Sequence, residues 1–285
     1  MRVTPARTAE AEPALFVHGL SGSAHNWTDF AAVLRDHLDI EAIDLPGHGR
    51  SGPSPSDDYR LSSHADVVIR YLEHSGRGPV HLTGNSMGGA ASILVAERRP
   101  DLVRTLTLIS PAVPDNRPRL YPLKNDPRMA LMAVPVLGES VVRAFNQRYA
   151  VEVRLAGTIE LCFADKSRYP EQRRQEAIEE ARARDAMPWA DRALLRSLRG
   201  LVRSNFFASR AAWAAMRSIE APTLVLWGDT DRLVAPDLAP YVAAAIPQAR
   251  LRVLEHIGHT AMMEDPVGSA RAVVGLLEDV RTRHG

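Results

Sequence analysis

The chain is predicted to be an α/β protein, a mostly parallel sheet of about six strands flanked by helices, with a helical unit inserted into it. Three observations carry this. Short aliphatic or β-branched runs alternate with stretches of helical spacing, which is the rhythm of strand–helix–strand crossovers. That rhythm stops after residue 110 and resumes only at 219, leaving about a hundred residues of helical, Arg-rich sequence, far beyond an ordinary connection. Finally, 285 residues with 45% apolar and 24% charged side chains lie near the upper limit for one hydrophobic core.

The strands are expected at 14–17, 40–43, 80–83, 102–109, 223–227 and 251–254. Strands covered on both faces by crossover helices are expected to read as apolar runs, and these segments are predominantly aliphatic or β-branched. Between them, 27–38, 64–74, 92–99, 238–246 and 267–280 have the spacing of helices with one buried face. The Pro- and Ser-rich stretch 52–58 reads as a loop. The expected organisation is therefore a core in two parts, 1–110 and 219–285, around a helical cap at 111–218. The cap holds 19 Lys and Arg against 12 Asp and Glu, a net charge of +7 that leaves the core at −6. Steering of acidic substrates is one reading of this; solvated helix faces laced with Glu–Arg pairs are the plainer one. The apolar stretch 129–137, with Met132 and Val134, either lines an acyl site or is an ordinary buried helix face.

Composition excludes several classes. A formal net charge of +1 gives no global attraction to nucleic acid or to a membrane surface. No run approaches the roughly 18 apolar residues of a membrane-spanning helix. The single cysteine, Cys162, cannot form an internal disulfide, and no apolar leader with a small-residue cleavage site stands at the start, so a reducing, cytoplasmic setting is expected. No sequence signal marks an oligomeric interface.

The chemistry is expected at Gly84-Asn85-Ser86-Met87-Gly88-Gly89, which joins a strand to a helix. A serine hydroxyl attacks poorly unless a turn projects it beyond the strand ends and a base takes its proton, and a G-x-S-x-G turn provides the projection. The strand ending at Trp227 runs into Gly228-Asp229-Thr230-Asp231, and the last strand is followed by Glu255-His256-Ile257-Gly258-His259. One carboxylate of the first turn would orient a base supplied by the second. His259 is favoured over His256 because it lies further into its loop, after a glycine that lets the backbone turn. Two backbone N–H groups must also converge on a developing oxyanion. Met87 offers one at a helix N-terminus, and Leu20 the other, in the glycine-rich loop His18-Gly19-Leu20-Ser21-Gly22. His18, His48 and His256 read as hydrogen-bonded loop residues, Asp44 and Arg50 as braces of their loop, and Cys162 as a packed apolar residue.

Taken together, the HG loop, Asp44-Leu45-Pro46-Gly47-His48-Gly49-Arg50-Ser51, the serine turn, the Gly-Asp-x-Asp turn and the Gly-His before the last helix resemble the α/β-hydrolase fold family. The likeness covers roughly 14–110 and 219–266. It implies that Asp231 is the acid of a triad with Ser86 and His259, that Asp229 is structural, and that the cap forms a lid over an acyl pocket. One departure stands out. Relatives place a strand hairpin before the HG strand, whereas about a dozen residues precede it here, so the sheet is expected to lack two edge strands, as an incomplete N-terminus or a start set too far downstream would produce.

The expected activity is that of a serine hydrolase acting on a carboxylic ester or related small acyl substrate, without metal or organic cofactor. Three alternatives stay open. The elbow with Asn85 looks like that of carbon–carbon bond hydrolases of dienone ring-cleavage products, although Leu20-Ser21 and Thr260 depart from their pattern. The HG and Asp44 loops also resemble a lyase of menaquinone synthesis, whose elbow usually continues with arginine where Ala90 stands. A ligand receptor without turnover on the same fold is the third.

Overall fold

The computed structural model describes residues 1–115, 117 and 128–284. Seven strands form one sheet: β1 (Arg2–Thr4), β2 (Glu12–Val17), β3 (Leu38–Ile43), β4 (Val80–Asn85), β5 (Val103–Ile109), β6 (Thr223–Gly228) and β7 (Ala249–Leu254). Their order is β1-β3-β2-β4-β5-β6-β7, parallel except for β1, which runs antiparallel on β3. All six expected strands are present. The expectation of a sheet without N-terminal edge strands needs correction, because Arg2–Thr4 adds a seventh. Three residues with Val3 half exposed leave no apolar run to read.

Successive residues of each inner strand face opposite sides, so the sheet carries two apolar layers. On one side Leu15, Val17, Leu82, Leu106 and Val225 pack beneath α2 (Leu61–Ser75), α3 (Met87–Arg98) and the later α10 (Ala239–Ala245). On the other, Phe16, Ile40, Leu224 and Leu226 lie beneath α1 (Thr28–Leu34) and α12 (Pro266–His284). Phe16 is clasped there by Trp27 and Phe30, with ring centroids 5.0 and 5.5 Å away. The helix boundaries have local causes. Ser23 caps the turn that leads into α1, accepting from His25 N–H while Asn26 accepts from Ser23 N–H. Gly76 ends α2 in the left-handed region at φ 64°, and α3 stops just before Pro100.

Between β5 and β6 the described residues form only helices: α4 (Arg128–Ala133), α5 (Leu137–Arg148), α6 (Val151–Cys162), α7 (Glu171–Asp185), α8 (Ala190–Phe207) and α9 (Ser209–Arg217). Residues 116 and 118–127 of the expected cap, and the side chain of Met129, lie outside the described residues. Met132 is partly buried, while Val134 and Leu137 are exposed, and so is Val136 at 79%. The insertion is fastened to the core by polar contacts: Arg173 donates to both oxygens of Asp29, and His25 meets Glu180 at 2.9 Å. Many of its arginines pair with acids, as Arg154 does with Asp185 and Arg199 with Glu139. Among the described residues no helix is long and apolar enough to cross a membrane.

His64 on α2 reaches Ser197 Oγ on α8 at 3.1 Å, and its ring stands in a buried row with those of His48 and His18. Burial, and then the nearby His18, lower His64 from 6.5 to about 4, and burial lowers His18 and His48 as well. Above about pH 6.5 neither the folded nor the unfolded chain protonates such a group, and its contribution is fully present. As pH falls below that value the unfolded chain takes up protons that the folded chain refuses, so stability is lost until about pH 4. For His64 this amounts to about 3 kcal/mol. Thermal unfolding followed from about pH 7.5 to 4 should show the midpoint falling through this window, and less steeply in His64→Phe. Equal slopes in the two proteins would contradict this.

Candidate active site

The strand order reverses at β2, which has β3 on one side and β4 on the other. In open α/β sheets such a switch point leaves a crevice outside the carboxyl ends of the strands. Val17 and Gly84 are register partners there, so the loop that carries Gly19 and Leu20 and the turn that carries Ser86 leave the sheet side by side. Gly228 and Leu254 are partners likewise, which sends the loops of Asp231 and His259 out over the same edge.

Ser86 sits between β4 and α3 at φ 53° and ψ −118°, a conformation that costs a non-glycine residue about 1–3 kcal/mol. The surroundings hold it. Its N–H donates to Ile109 O at 3.1 Å, and its carbonyl accepts from Ala90 and Ala112 N–H, both at 3.0 Å. Asn85 and Met87 are buried while Ser86, at the tip of the turn, is only partly so. Close approach accounts for Gly88: a Cβ there would run into the carbonyls of Val17 and His18.

His259 is buried, and its Nδ1 lies 2.8 Å from Oδ2 of Asp231. A carboxylate oxygen only accepts, so Nδ1 carries the proton and Nε2 keeps the lone pair. The other oxygen of Asp231 accepts from the amides of Leu233 and Val234 at 2.8 and 3.0 Å, which fixes the plane of the carboxylate. Asn85 joins the two halves of the site, its side-chain amide donating to the carbonyls of Ile109 (3.1 Å) and His259 (3.2 Å). Among the described residues the Ser86 hydroxyl makes no hydrogen bond to the imidazole, an arrangement common before substrate tightens such contacts.

Met87 is the first residue of α3, so its N–H has no intrahelical acceptor and lies at the positive end of the helix dipole. Gly19 packs against Ser86, where an added Cβ would be 3.0 Å from that of the serine, and this brings Leu20 to the same crevice. The Gly22 N–H to Gly19 carbonyl bond, at 3.1 Å, folds the loop that presents it.

The remaining candidates are engaged elsewhere. Asp229 accepts from Thr230 Oγ1 and from His256 N–H, while His256, at φ 55°, is exposed. His18 donates from Nδ1 to Gly19 O and accepts at Nε2 from Leu45 N–H. Asp44 accepts from the amides of Ala24 and Arg50; burial alone would raise its carboxyl, yet these donors hold it below the ordinary range. Burial pushes the Cys162 thiol up to about 12, as for a packed residue without nucleophilic character. One residue escaped the sequence reading. Glu264, buried at 4% exposure, accepts three backbone N–H bonds around the histidine loop. Its only signal was an acid within the short run Ala261-Met262-Met263-Glu264.

A family model described as alpha/beta hydrolase fold matches residues 13–266. The chain is 27% identical to monoacylglycerol lipase abhd6-B of Xenopus laevis, over 94% of this chain and 76% of that one. It is 30% identical to Lipase 1 of Psychrobacter immobilis, over 89% and 73%. The solved structure of a thermophilic esterase from Thermogutta terrifontis superposes with a TM-score of 0.73 at 23% identity, covering 98% of this chain and 92% of that one, a likeness of fold.

Proposed function

The chain belongs to the α/β-hydrolase fold family, and from that premise we propose that it is a serine hydrolase of a carboxylic ester or related small acyl substrate. The relatives named as lipases support a hydrolase. The buried Asp231–His259 pair at 2.8 Å, fastened through Asn85 to the turn of Ser86, is the observation that carries the finer reading.

In this mechanism Nε2 of His259 takes the Ser86 proton as the hydroxyl attacks the acyl carbonyl, and Asp231 keeps the imidazole in the tautomer that can accept it. The amides of Met87 and Leu20 donate to the oxyanion of the tetrahedral intermediate. The protonated imidazole returns its proton to the leaving group, and water then attacks the acyl-enzyme with the same base assisting. The helical insertion at 111–218 is read as the cap that closes over the acyl group. Asn85, the residue that suggested carbon–carbon bond cleavage, donates to two backbone carbonyls, a bracing role compatible with either chemistry, so substrate turnover decides between them.

The test is a panel of p-nitrophenyl esters of graded acyl length run beside a dienone ring-cleavage product. Ester turnover with labelling of Ser86 by a fluorophosphonate is the expected result. Bleaching of the dienone without ester turnover would favour the carbon–carbon bond reading, and ligand-induced thermal stabilisation without any turnover would favour a receptor.

A further inference from the structure

The loop that bears His259 is fastened to the insertion as well as to the sheet. His259 N–H donates to the carbonyl of Cys162, the last residue of α6, at 2.7 Å. Gly258 lies flat against the backbone of the same segment, where a Cβ would strike the Cys162 carbonyl. Glu264, which ends the short helix α11 (Ala261–Glu264), closes the clasp from the other side. Its Oε2 accepts from Gly258 N–H at 2.7 Å and Ala164 N–H at 3.1 Å, and its Oε1 from Asp165 N–H at 2.8 Å. Among the described residues no cation lies within ion-pair distance of this carboxylate. The joined segment has an apolar seat of its own: Ile159, Phe163 and Tyr169 form a small buried cluster against which Met263 packs.

We propose that Glu264 is a positioning residue that couples the seating of the insertion to the placement of His259. One carboxylate binds the amide preceding the base and two amides of the insertion, so displacing the insertion at 162–165 pulls on the backbone that aims the imidazole. The base is then fully positioned only while the insertion is docked. This rests on the reading of His259 as the general base.

Glu264→Gln keeps the size but offers one oxygen to three donors and turns an amide NH2 toward an N–H, so at least one bond is lost. Ala164→Pro deletes an insertion-side donor and leaves Glu264 in place. Both are compared with Glu264→Asp and wild type by p-nitrophenyl ester kinetics, thermal unfolding, and the low-field proton NMR signal of the His259–Asp231 bond. Glu264→Gln should lower kcat roughly 100-fold, as ångström-scale misplacement of a catalytic group does, with KM held within about twofold and the NMR signal shifted or broadened. Ala164→Pro should lower kcat about 10-fold, and Glu264→Asp, which keeps both oxygens, should exceed Glu264→Gln. A folded Glu264→Gln with unchanged kcat and NMR signal overturns the proposal, whatever happens to its melting temperature. If that variant does not fold, Ala164→Pro decides by the same two readouts. Failure of the serine-hydrolase reading looks different: wild type then lacks ester turnover, while the proton signal still reports whether Glu264 positions His259.

Discussion

Ser86→Ala is expected to lower turnover by about a million-fold, the loss seen when a nucleophile that acts as one unit with its base is removed. The substitution deletes the hydroxyl and little else. Alanine keeps a Cβ at the same strained φ of 53°, so the strain of the elbow is neither relieved nor increased. The backbone bonds that hold the turn, from Ser86 N–H to Ile109 and from Ala90 and Ala112 to the Ser86 carbonyl, do not involve the side chain. The hydroxyl makes no hydrogen bond within the described protein whose loss would unsettle the core. The variant should therefore melt within a few degrees of wild type, as substitutions clear of packing and buried polar networks do. It should also fail to react with a fluorophosphonate. Ester kinetics on the two proteins at equal concentration are the measurement, and activity within tenfold of wild type, about 1.4 kcal/mol, would assign the nucleophile elsewhere.

The parts of this molecule that were legible in the sequence are those whose cause is local. Strands β2, β4, β5 and β6 announce themselves because burial on both faces demands mostly apolar runs, whereas β3 and the largely exposed edge strand β7 show only through the aliphatic residues between their charges. The edge strand Arg2–Thr4 escapes because it is three residues long and needs only one partner. The helix expected from residue 27 begins one residue later, after a capped turn, because Ser23 and Asn26 satisfy the amides before it. The expected helix at 267–280 lies within Pro266–His284, which Pro266 opens where its missing N–H costs nothing, while the four-residue helix Ala261–Glu264 before it is too short to show a helical period.

Site residues divide on the same principle. Ser86, Asp231 and His259 could be named because each follows a strand, and parallel strands deliver their following loops to one edge. Choosing His259 over His256 rested on reach, and in the structure His259 is the one that meets Asp231. The tie from Asn85 to the His259 carbonyl and the clasp at Glu264 had no such signal. Their partners are backbone groups up to 174 and 100 positions away, and any residue type supplies a carbonyl or an amide. Within the insertion, helical spacing is evident, but the face each helix buries depends on neighbours that spacing does not specify.

Asp231→Asn is expected to lower kcat by roughly 10,000-fold, and the structure gives the reason for so large an effect from a nearly isosteric change. The two oxygens of Asp231 have different duties. Oδ1 accepts from the amides of Leu233 and Val234, and Oδ2 faces Nδ1 of His259. Asparagine has one oxygen, and two fixed backbone donors compete for it against a single imidazole that can change tautomer. The oxygen therefore stays with the amides and the NH2 turns to the histidine. Nδ1 must then accept, the ring proton moves to Nε2, and the nitrogen facing the crevice can no longer take a proton from Ser86. Asp229→Asn is the control, since Asp229 accepts from Thr230 Oγ1 and His256 N–H instead of the imidazole, and it should change kcat by no more than about tenfold. The measurement is ester kcat for both variants with unfolding checked in parallel. A large loss in Asp229→Asn beside a mild one in Asp231→Asn would reverse the assignment of the acid.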